Sequence, residues 1–290
     1  MQPEHFIRAN GNRLDYYDTY EGDALLIYHH GTPAAGPIDS EVLRAAKKYG
    51  FRVAELVRPG YINSTREVGR TVADVVPLTL ELADHLGFEK FVVMGWSGGG
   101  PHALATGALA PERCTGVMSL AGVGPWGDPD LDFLDGMGEE NLDEFGAALK
   151  GEAQLRALLE QALPNLQKLT GADVIDAMST LLPEADRASL TGNYAEKTAT
   201  TFRTAVSTGV NGWLDDDIAF VLPWGFEFDQ LKQPLSIWQG LDDLMVPVAH
   251  GKYLASKFPH AELRLLEGHG HLSLGDVACD EGFALLAKTL

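Results

Sequence analysis

The sequence predicts an α/β protein in which a mostly parallel, doubly wound sheet is interrupted by a long helical segment. Short apolar runs alternate with helical patterns near both ends of the chain, and the runs are almost continuously apolar. Strands that helices cover on both faces have this character, whereas half-exposed strands alternate apolar and polar residues. The alternation of strands and helices stops between residues 122 and 228, where only helical patterns are found.

The individual elements follow from these patterns. The predicted strands of the sheet are residues 23–29, 51–57, 90–96, 114–120, 235–240 and 261–267. The predicted helices among the early strands are Ile38–Tyr49, Glu67–Leu86 and Pro101–Ala110. Pro77 should kink or split the second helix, because proline has no N–H to donate. Residues 12–21 alternate apolar and polar side chains and are predicted to form an antiparallel edge strand.

The helical stretch predicts a cap domain inserted into one sheet. We therefore expect a first core part at residues 1–121, a helical cap at 122–228 and a second core part at 229–290. The alternative is a second domain that simply follows the first. The return of strands after Pro234, together with further candidate catalytic residues, favours the insertion.

Composition excludes several classes of function. The 290 residues include 22 basic and 41 acidic side chains, a net charge of −19, which argues against nucleic acid and anionic membranes as partners. No apolar run reaches the length of a membrane span, and no signal peptide is visible, so a cytoplasmic protein is expected. Cys114 and Cys279 lie far apart and predict no metal site. A small-molecule substrate and no cofactor are expected.

The strongest local signal is the segment 95–99, Gly-Trp-Ser-Gly-Gly, which fits the pattern G-x-S-x-G. It follows an apolar strand and precedes a helix whose first turn contains Pro101. A serine on such a sharp strand-to-helix turn is exposed for nucleophilic attack, and flanking glycines relieve the crowding of the backbone. Ser97 is therefore the predicted nucleophile.

A serine needs a base, and the base needs a carboxylate that orients it. In folds with this kind of nucleophile turn, the catalytic residues occur along the chain in the order serine, acid, histidine. The acid should therefore follow the fifth apolar run, and the histidine should follow the sixth. Asp242 and Asp243 are the candidate acids, and the spacing G-x-x-D-x-x-V-P favours Asp243. His269 and His271 are the candidate bases. The Gly-His pair followed by an apolar residue and serine favours His271.

An oxyanion also requires hydrogen-bond donors. We expect one from the backbone N–H of Gly98, at the start of the helix after the serine. The second is expected from the loop His29-His30-Gly31-Thr32-Pro33, with the N–H of Thr32 as the candidate.

Aromatic residues of the cap region could line an apolar pocket or merely pack among themselves. The candidate pocket residues are His30, Trp96, Trp126 and Trp213. The run Asp215–Asp217 is interpreted either as a solvated helix end or as a receptor for a substrate ammonium group.

Together these motifs resemble the α/β-hydrolase superfamily, in particular its capped proline iminopeptidase, lactonase and esterase-like members. The matching segments are HGTP (30–33), RPGYINS (58–64), GWSGGG (95–100), GLDDLMVP (240–247) and GHGHLS (268–273). The chain departs from many relatives at Ile62, where they carry glycine, and its elbow is not the GGSWG of typical proline iminopeptidases.

The resemblance implies a serine hydrolase that cleaves a small ester, lactone or amide through an acyl-enzyme. Two alternatives stay open. One is an aminopeptidase of the proline iminopeptidase kind, and the other is a ligand-binding or sensor protein that keeps the triad but turns over slowly.

Overall fold

The computed structural model describes residues 1–290 and contains one eight-stranded sheet. The strands are β1 Glu4–Ile7, β2 Arg13–Asp18, β3 Ala24–His29, β4 Phe51–Leu56, β5 Phe91–Trp96, β6 Cys114–Leu120, β7 Leu235–Gly240 and β8 Glu262–Leu266. Their order across the sheet is β1-β2-β4-β3-β5-β6-β7-β8. Strands β3 to β8 are parallel to one another. β2 pairs antiparallel with β4 on one side and with β1 on the other. The predicted mostly parallel, doubly wound sheet is confirmed.

One strand prediction needs correction. Residues 12–21 do contain an antiparallel strand, β2, but β1 pairs along its outer side, so β2 is not the edge of the sheet. β1 has only four residues and is largely exposed. It carries no apolar run that would reveal it in the sequence.

The continuous apolar runs are explained by helices on both faces of the sheet. Successive residues of β3 belong to opposite cores, since Leu25 and Ile27 join one apolar cluster and Leu26 joins the other. β5 repeats this arrangement with Val92 and Val93 on opposite faces. The carboxyl ends of the parallel strands are thereby held at one rim, where open α/β sheets place their sites.

The helices are α1 Ser40–Tyr49, α2 Val76–Leu86, α3 Gly99–Leu109, α4 Glu139–Ala148, α5 Glu152–Leu166, α6 Val174–Ala177, α7 Glu184–Ser189, α8 Gly192–Ala205, α9 Asn211–Val221, α10 Val248–Lys257 and α11 Gly275–Leu286. Glu67–Leu86 is helical only from a 3₁₀ turn at Ala73–Val75 onward. Pro77 lies in the first turn of α2, where its missing N–H costs nothing, so it starts the helix rather than kinking it. None of the helices combines the length and the apolar composition that crossing a membrane requires.

Six helices, α4 to α9, lie between β6 and β7; residues 121–234 are called the inserted segment below. Two small apolar clusters lie in this region. One, around Leu155 and Leu214, is formed within the segment, and the other, around Val174 and Leu182, also includes Met245 from the loop after β7. Several of its aromatic residues pack with one another or against the main core instead of forming a separate layer.

A buried ionic cluster joins the inserted segment to the sheet. Asp216 on α9 is fully buried and accepts a hydrogen bond from Arg58 Nη2 at 2.6 Å and one from Arg70 Nη2 at 2.5 Å. The hydroxyls of Tyr61 and Thr32 donate to the same carboxylate at 2.8 and 2.7 Å. Burial alone would raise the pKa of Asp216, but the two arginines outweigh it and hold this pKa well below its ordinary value.

Removing this carboxylate should destabilise the whole protein. Asp216→Ala leaves the guanidinium groups of Arg58 and Arg70 buried without a counter-charge, which is expected to cost about 3–5 kcal/mol of unfolding free energy. Urea denaturation followed by circular dichroism measures the loss. Asp176→Ala, which removes an exposed carboxylate from α6, is the control. A loss below about 1 kcal/mol for Asp216→Ala would contradict the role of the cluster.

Candidate active site

Ser97 occupies the turn between β5 and α3 and has a φ of +56°, in the left-handed region. The turn leaves no room for a side chain two residues before or two residues after the serine. A Cβ at Gly95 would lie 2.1 Å from the carbonyl oxygen of Gly99, and one at Gly99 would lie 2.0 Å from that of His29. The backbone crowding expected from the G-x-S-x-G pattern is therefore present at both flanking glycines.

His271 and Asp243 meet at the same rim of the sheet. His271 Nδ1 donates a hydrogen bond to Asp243 Oδ2 at 2.8 Å, and both side chains are buried. Asp243 Oδ1 accepts the backbone N–H groups of Met245 and Val246 at 2.9 Å, and Gln239 Nε2 donates to Oδ2 at 2.9 Å. These bonds fix the direction in which the carboxylate faces the imidazole.

The environment of His271 favours its protonated form. Burial disfavours the imidazolium, but the charge and hydrogen bond of Asp243 outweigh burial, and the pKa of His271 is raised above its ordinary value. A histidine acts as a base only when it is neutral. The acid limb of a reaction that uses this base is therefore expected above the pH at which an unperturbed histidine would place it.

The second-choice residues lie elsewhere. Asp242 is exposed, and only its backbone N–H is engaged, with the carbonyl oxygen of His269. His269 Nδ1 bonds the carbonyl oxygen of Ser273 at 2.9 Å and holds the turn before α11. Neither side chain lines the cavity described below.

The loop that contains Thr32 lies against the elbow. A Cβ at Gly98 would come within 2.4 Å of Thr32 Oγ1, so the absence of a side chain at this position lets the two residues approach. The backbone N–H groups of Thr32 and Gly98 donate no hydrogen bond within the protein. Arg58 fixes the loop from behind by donating to the carbonyl oxygens of His30 and Gly31 at 2.7 and 2.9 Å.

A cavity of about 530 Å³ opens above the elbow. Ser97, His271, Thr32 and Gly98 lie in its wall, and most of the remaining lining residues are apolar. The acidic lining residues are Asp39, Glu140, Asp143, Glu144 and Asp217, and no lysine or arginine lines the cavity. No group of three or more histidine, cysteine, aspartate or glutamate side chains is arranged to hold a metal ion.

Two of the four candidate pocket residues line this cavity and two do not. Trp96 and Trp213 contribute to the wall. His30 instead turns towards the backbone N–H of Arg58, and burial together with the charge of Arg58 lowers its pKa well below the ordinary value. Trp126 is partly exposed and packs edge-to-face on Phe133.

The acidic run on α9 is not a solvated helix end, because all three carboxylates are buried. Arg66 binds Asp215 through two nitrogens, and Arg58 and Arg70 bind Asp216. Arginines far away in the sequence thus bind two of the three carboxylates, those of Asp215 and Asp216. Asp217 alone faces the cavity.

Two residues at the site escaped the sequence analysis. Gln239 in β7 bridges Asp243 and the carbonyl oxygen of Val246, with distances of 2.9 and 2.7 Å. Asp186 on α7 accepts the backbone N–H of His271 at 2.8 Å. Gln239 could have been suspected because it lies near the end of the strand that leads to the acid, but Asp186 carries no signal in its helical stretch.

The geometry predicts how the paired candidates differ in their effect on Ser97. His271→Ala and Asp243→Asn should slow labelling of Ser97 by a fluorophosphonate by about 10²-fold or more, because the hydroxyl loses its base or the base loses its orientation. His269→Ala and Asp242→Asn are the matched controls and should change the rate far less. Mass spectrometry of the labelled peptide gives the rate. A reversed ranking within either pair would move the role to the neighbouring residue.

Comparison with known proteins finds relatives in sequence and in fold. The chain is 26% identical over 285 residues to the uncharacterized hydrolase YcgS of Bacillus subtilis (strain 168), covering 97% of this chain and 96% of that one. It is 25% identical over 265 residues to the 2-hydroxy-6-oxononadienedioate/2-hydroxy-6-oxononatrienedioate hydrolase of Comamonas testosteroni, covering 89% and 85%. The fold is similar to that of the bromoperoxidase from Bacillus anthracis, with a TM-score of 0.72 at 19% identity over 99% of this chain and 100% of that one.

The family model described as alpha/beta hydrolase fold matches residues 24–276, which span the elbow, the inserted segment and the loops of Asp243 and His271. The match extends over far more than half of the 290 residues, and the chain therefore belongs to the alpha/beta hydrolase fold family.

Proposed function

We propose that this chain is a serine hydrolase that cleaves a small-molecule ester, lactone or amide through an acyl-enzyme. Ser97 is the nucleophile, His271 the general base and Asp243 the carboxylate that orients it. The observation that carries the proposal is the 2.8 Å hydrogen bond from His271 to Asp243 at the wall of the cavity that also contains Ser97. Membership of a family with many hydrolases supports the same reaction class.

In the proposed mechanism, Ser97 Oγ attacks the substrate carbonyl carbon while His271 Nε2 takes the hydroxyl proton. The charge that develops on the carbonyl oxygen is held by the N–H groups of Thr32 and Gly98. The tetrahedral intermediate collapses as His271 returns the proton to the leaving group. A water molecule, deprotonated by His271, then attacks the acyl-enzyme and releases the acid.

The cavity supports a substrate that is neutral or cationic. Its wall is mainly apolar, its charged groups other than His271 are acidic, and it contains no lysine or arginine to receive a carboxylate. The relative from Comamonas testosteroni is named for a dioate, a dicarboxylate substrate. A cavity without lysine or arginine suits such a substrate poorly, because each carboxylate would be desolvated near other negative charges. We further propose that residues 122–228 act as the cap that encloses the acyl or leaving group.

Replacing the nucleophile tests the proposal. Ser97→Ala should lower turnover of a p-nitrophenyl ester by at least about 10³-fold without loss of fold, because no other group can form the acyl-enzyme. Ser207→Ala, which removes an exposed hydroxyl from the inserted segment, is the control. Stoichiometric fluorophosphonate labelling of another serine in the Ala variant would refute the assignment.

The same assay separates an enzyme from a slow sensor protein. An enzyme continues to release p-nitrophenol after the first equivalent, whereas a triad that serves only as a receptor stops near one equivalent. Steady turnover by the wild-type protein supports the hydrolase.

An aminopeptidase is the second candidate, and one observation favours it. Asp217 faces the cavity beside Glu144, and its Oδ2 has no hydrogen-bond donor within the protein. Burial and the neighbouring Glu144 raise the pKa of Asp217 well above its ordinary value. This environment disfavours the ionised form of Asp217 and so weakens its attraction for an ammonium group.

We therefore expect uncharged esters or lactones to have a higher kcat/KM than aminoacyl amides such as proline naphthylamide. Matched ester substrates with and without a free amine provide the comparison. An ammonium held by a buried carboxylate could gain about 1.5–3 kcal/mol, or roughly ten- to hundredfold in preference. If kcat/KM is more than about tenfold higher for the ester with the free amine, and if this difference disappears in Asp217→Asn, the protein is aminopeptidase-like. Asp215→Asn is the control, because Arg66 already occupies that carboxylate.

A further inference from the structure

Asp186 is a fully buried carboxylate on α7, in the inserted segment, and it lies against the loop that contains His271. Its Oδ2 accepts the backbone N–H of His271 at 2.8 Å. Its Oδ1 accepts the backbone N–H and the hydroxyl of Ser273 at 2.8 and 2.7 Å. All the hydrogen bonds that this carboxylate accepts therefore come from one loop, 85 or more residues away in the sequence.

The loop is shaped to let Asp186 approach. A Cβ at Gly270 would lie 2.6 Å from Asp186 Oδ2 and 2.5 Å from Pro183 Cγ. The hydroxyl of Ser273, which donates to Asp186, also accepts the N–H of Gly270 at 2.9 Å. The carboxylate, the glycine and the serine thus form one closed set of contacts around the backbone of His271.

A buried carboxylate is costly to desolvate, and hydrogen bonds from three donors compensate for that cost only while the loop keeps its conformation. In the loop conformation that donates these three hydrogen bonds to Asp186, His271 Nδ1 is also hydrogen-bonded to Asp243. Docking of α7 and correct placement of the histidine are therefore coupled. We propose that Asp186 is a positioning residue that holds the backbone of His271 from the inserted segment and adds a second negative charge, besides that of Asp243, next to this residue. This inference rests on the proposed role of His271 as the base.

The electrostatic surroundings agree with this role. Two carboxylates act on the imidazole of His271, Asp243 from the loop after β7 and Asp186 from α7, and both raise its pKa against the opposing effect of burial. Tyr194 on α8, which also lies near Asp186, stays neutral because burial raises the pKa of its hydroxyl well above the ordinary value. Arg187 turns away and donates to the carbonyl oxygens of Leu182 and Ser179.

Two substitutions separate charge from geometry. Asp186→Asn removes the charge and turns an NH₂ group towards one of the three donors. Ser273→Ala keeps the charge and removes one of the three hydrogen bonds. Glu184→Gln is the matched control, because Glu184 is an exposed carboxylate on the same helix. In each full-length variant, the titration of the His271 ring is followed by NMR, and labelling of Ser97 by a fluorophosphonate is measured from pH 5 to 9.

In Asp186→Asn, the titration of His271 and the acid limb of labelling should both move to lower pH. The plateau rate of labelling should fall roughly 10- to 100-fold, because the imidazole is no longer held in line with the serine. Ser273→Ala should lower the plateau several-fold while leaving the titration in place. Glu184→Gln should leave both unchanged.

An Asp186→Asn plateau within about twofold of wild type would overturn the proposal whatever the titration does. A slowed plateau with an unmoved titration would also overturn it, since a purely structural contact would give that result. If Asp186→Asn does not fold, an unchanged plateau in Ser273→Ala overturns the proposal. Failure of the proposed function is distinguishable, because the wild-type protein would then not be labelled at Ser97, while the titration of His271 could still be read.

Discussion

The contacts of Asp216 are the constraint on which the site depends. One fully buried carboxylate from α9 receives two guanidinium groups and two hydroxyls that all belong to the sheet side of the molecule. Arg58 extends the cluster to the carbonyl oxygens of the loop before Thr32. If the inserted segment moved away from the sheet, these charges would be exposed or would stay buried without a counter-ion. A buried charge without a counter-ion costs several kcal/mol. The loop with the free N–H of Thr32 is consequently held by the segment above it.

A comparable arrangement holds the other side of the site. Asp186 binds the loop of His271, just as Asp216 binds the loop of Thr32. The sheet brings Ser97, Asp243 and His271 to one rim, and two carboxylates from outside the sheet bind the loops that surround them. Small errors in alignment lower rates steeply, because a reacting pair must be placed within a few tenths of an ångström. In the proposed mechanism, the inserted segment would therefore affect the rate of reaction as well as the shape of the cavity.

The sequence was informative wherever a local pattern carried the information. The six apolar runs became parallel strands, and the spacing around Asp243 and His271 selected the two residues that are hydrogen-bonded in the structure. Ile62 has a φ of +50°, so the loop keeps a left-handed turn although a β-branched residue replaces the expected glycine. The contacts of Asp216 and Asp186 could not be predicted from the sequence. A helical aspartate has the same neighbours in the sequence whether its carboxylate is hydrated or binds an arginine 158 positions away, as Asp216 does.

The charges around the site have opposite signs on its two sides. The cavity wall is acidic and would by itself oppose a developing oxyanion. Behind the loop of Thr32, however, two guanidinium groups face the single carboxylate of Asp216, which leaves that cluster with an excess of one positive charge. Burial and the neighbouring Glu144 raise the pKa of Asp217 well above its ordinary value, which disfavours a negative charge next to that cluster. The positive excess therefore lies on the side where negative charge would form on the substrate oxygen, while the carboxylates of Asp243 and Asp186 lie on the side where His271 would become positive.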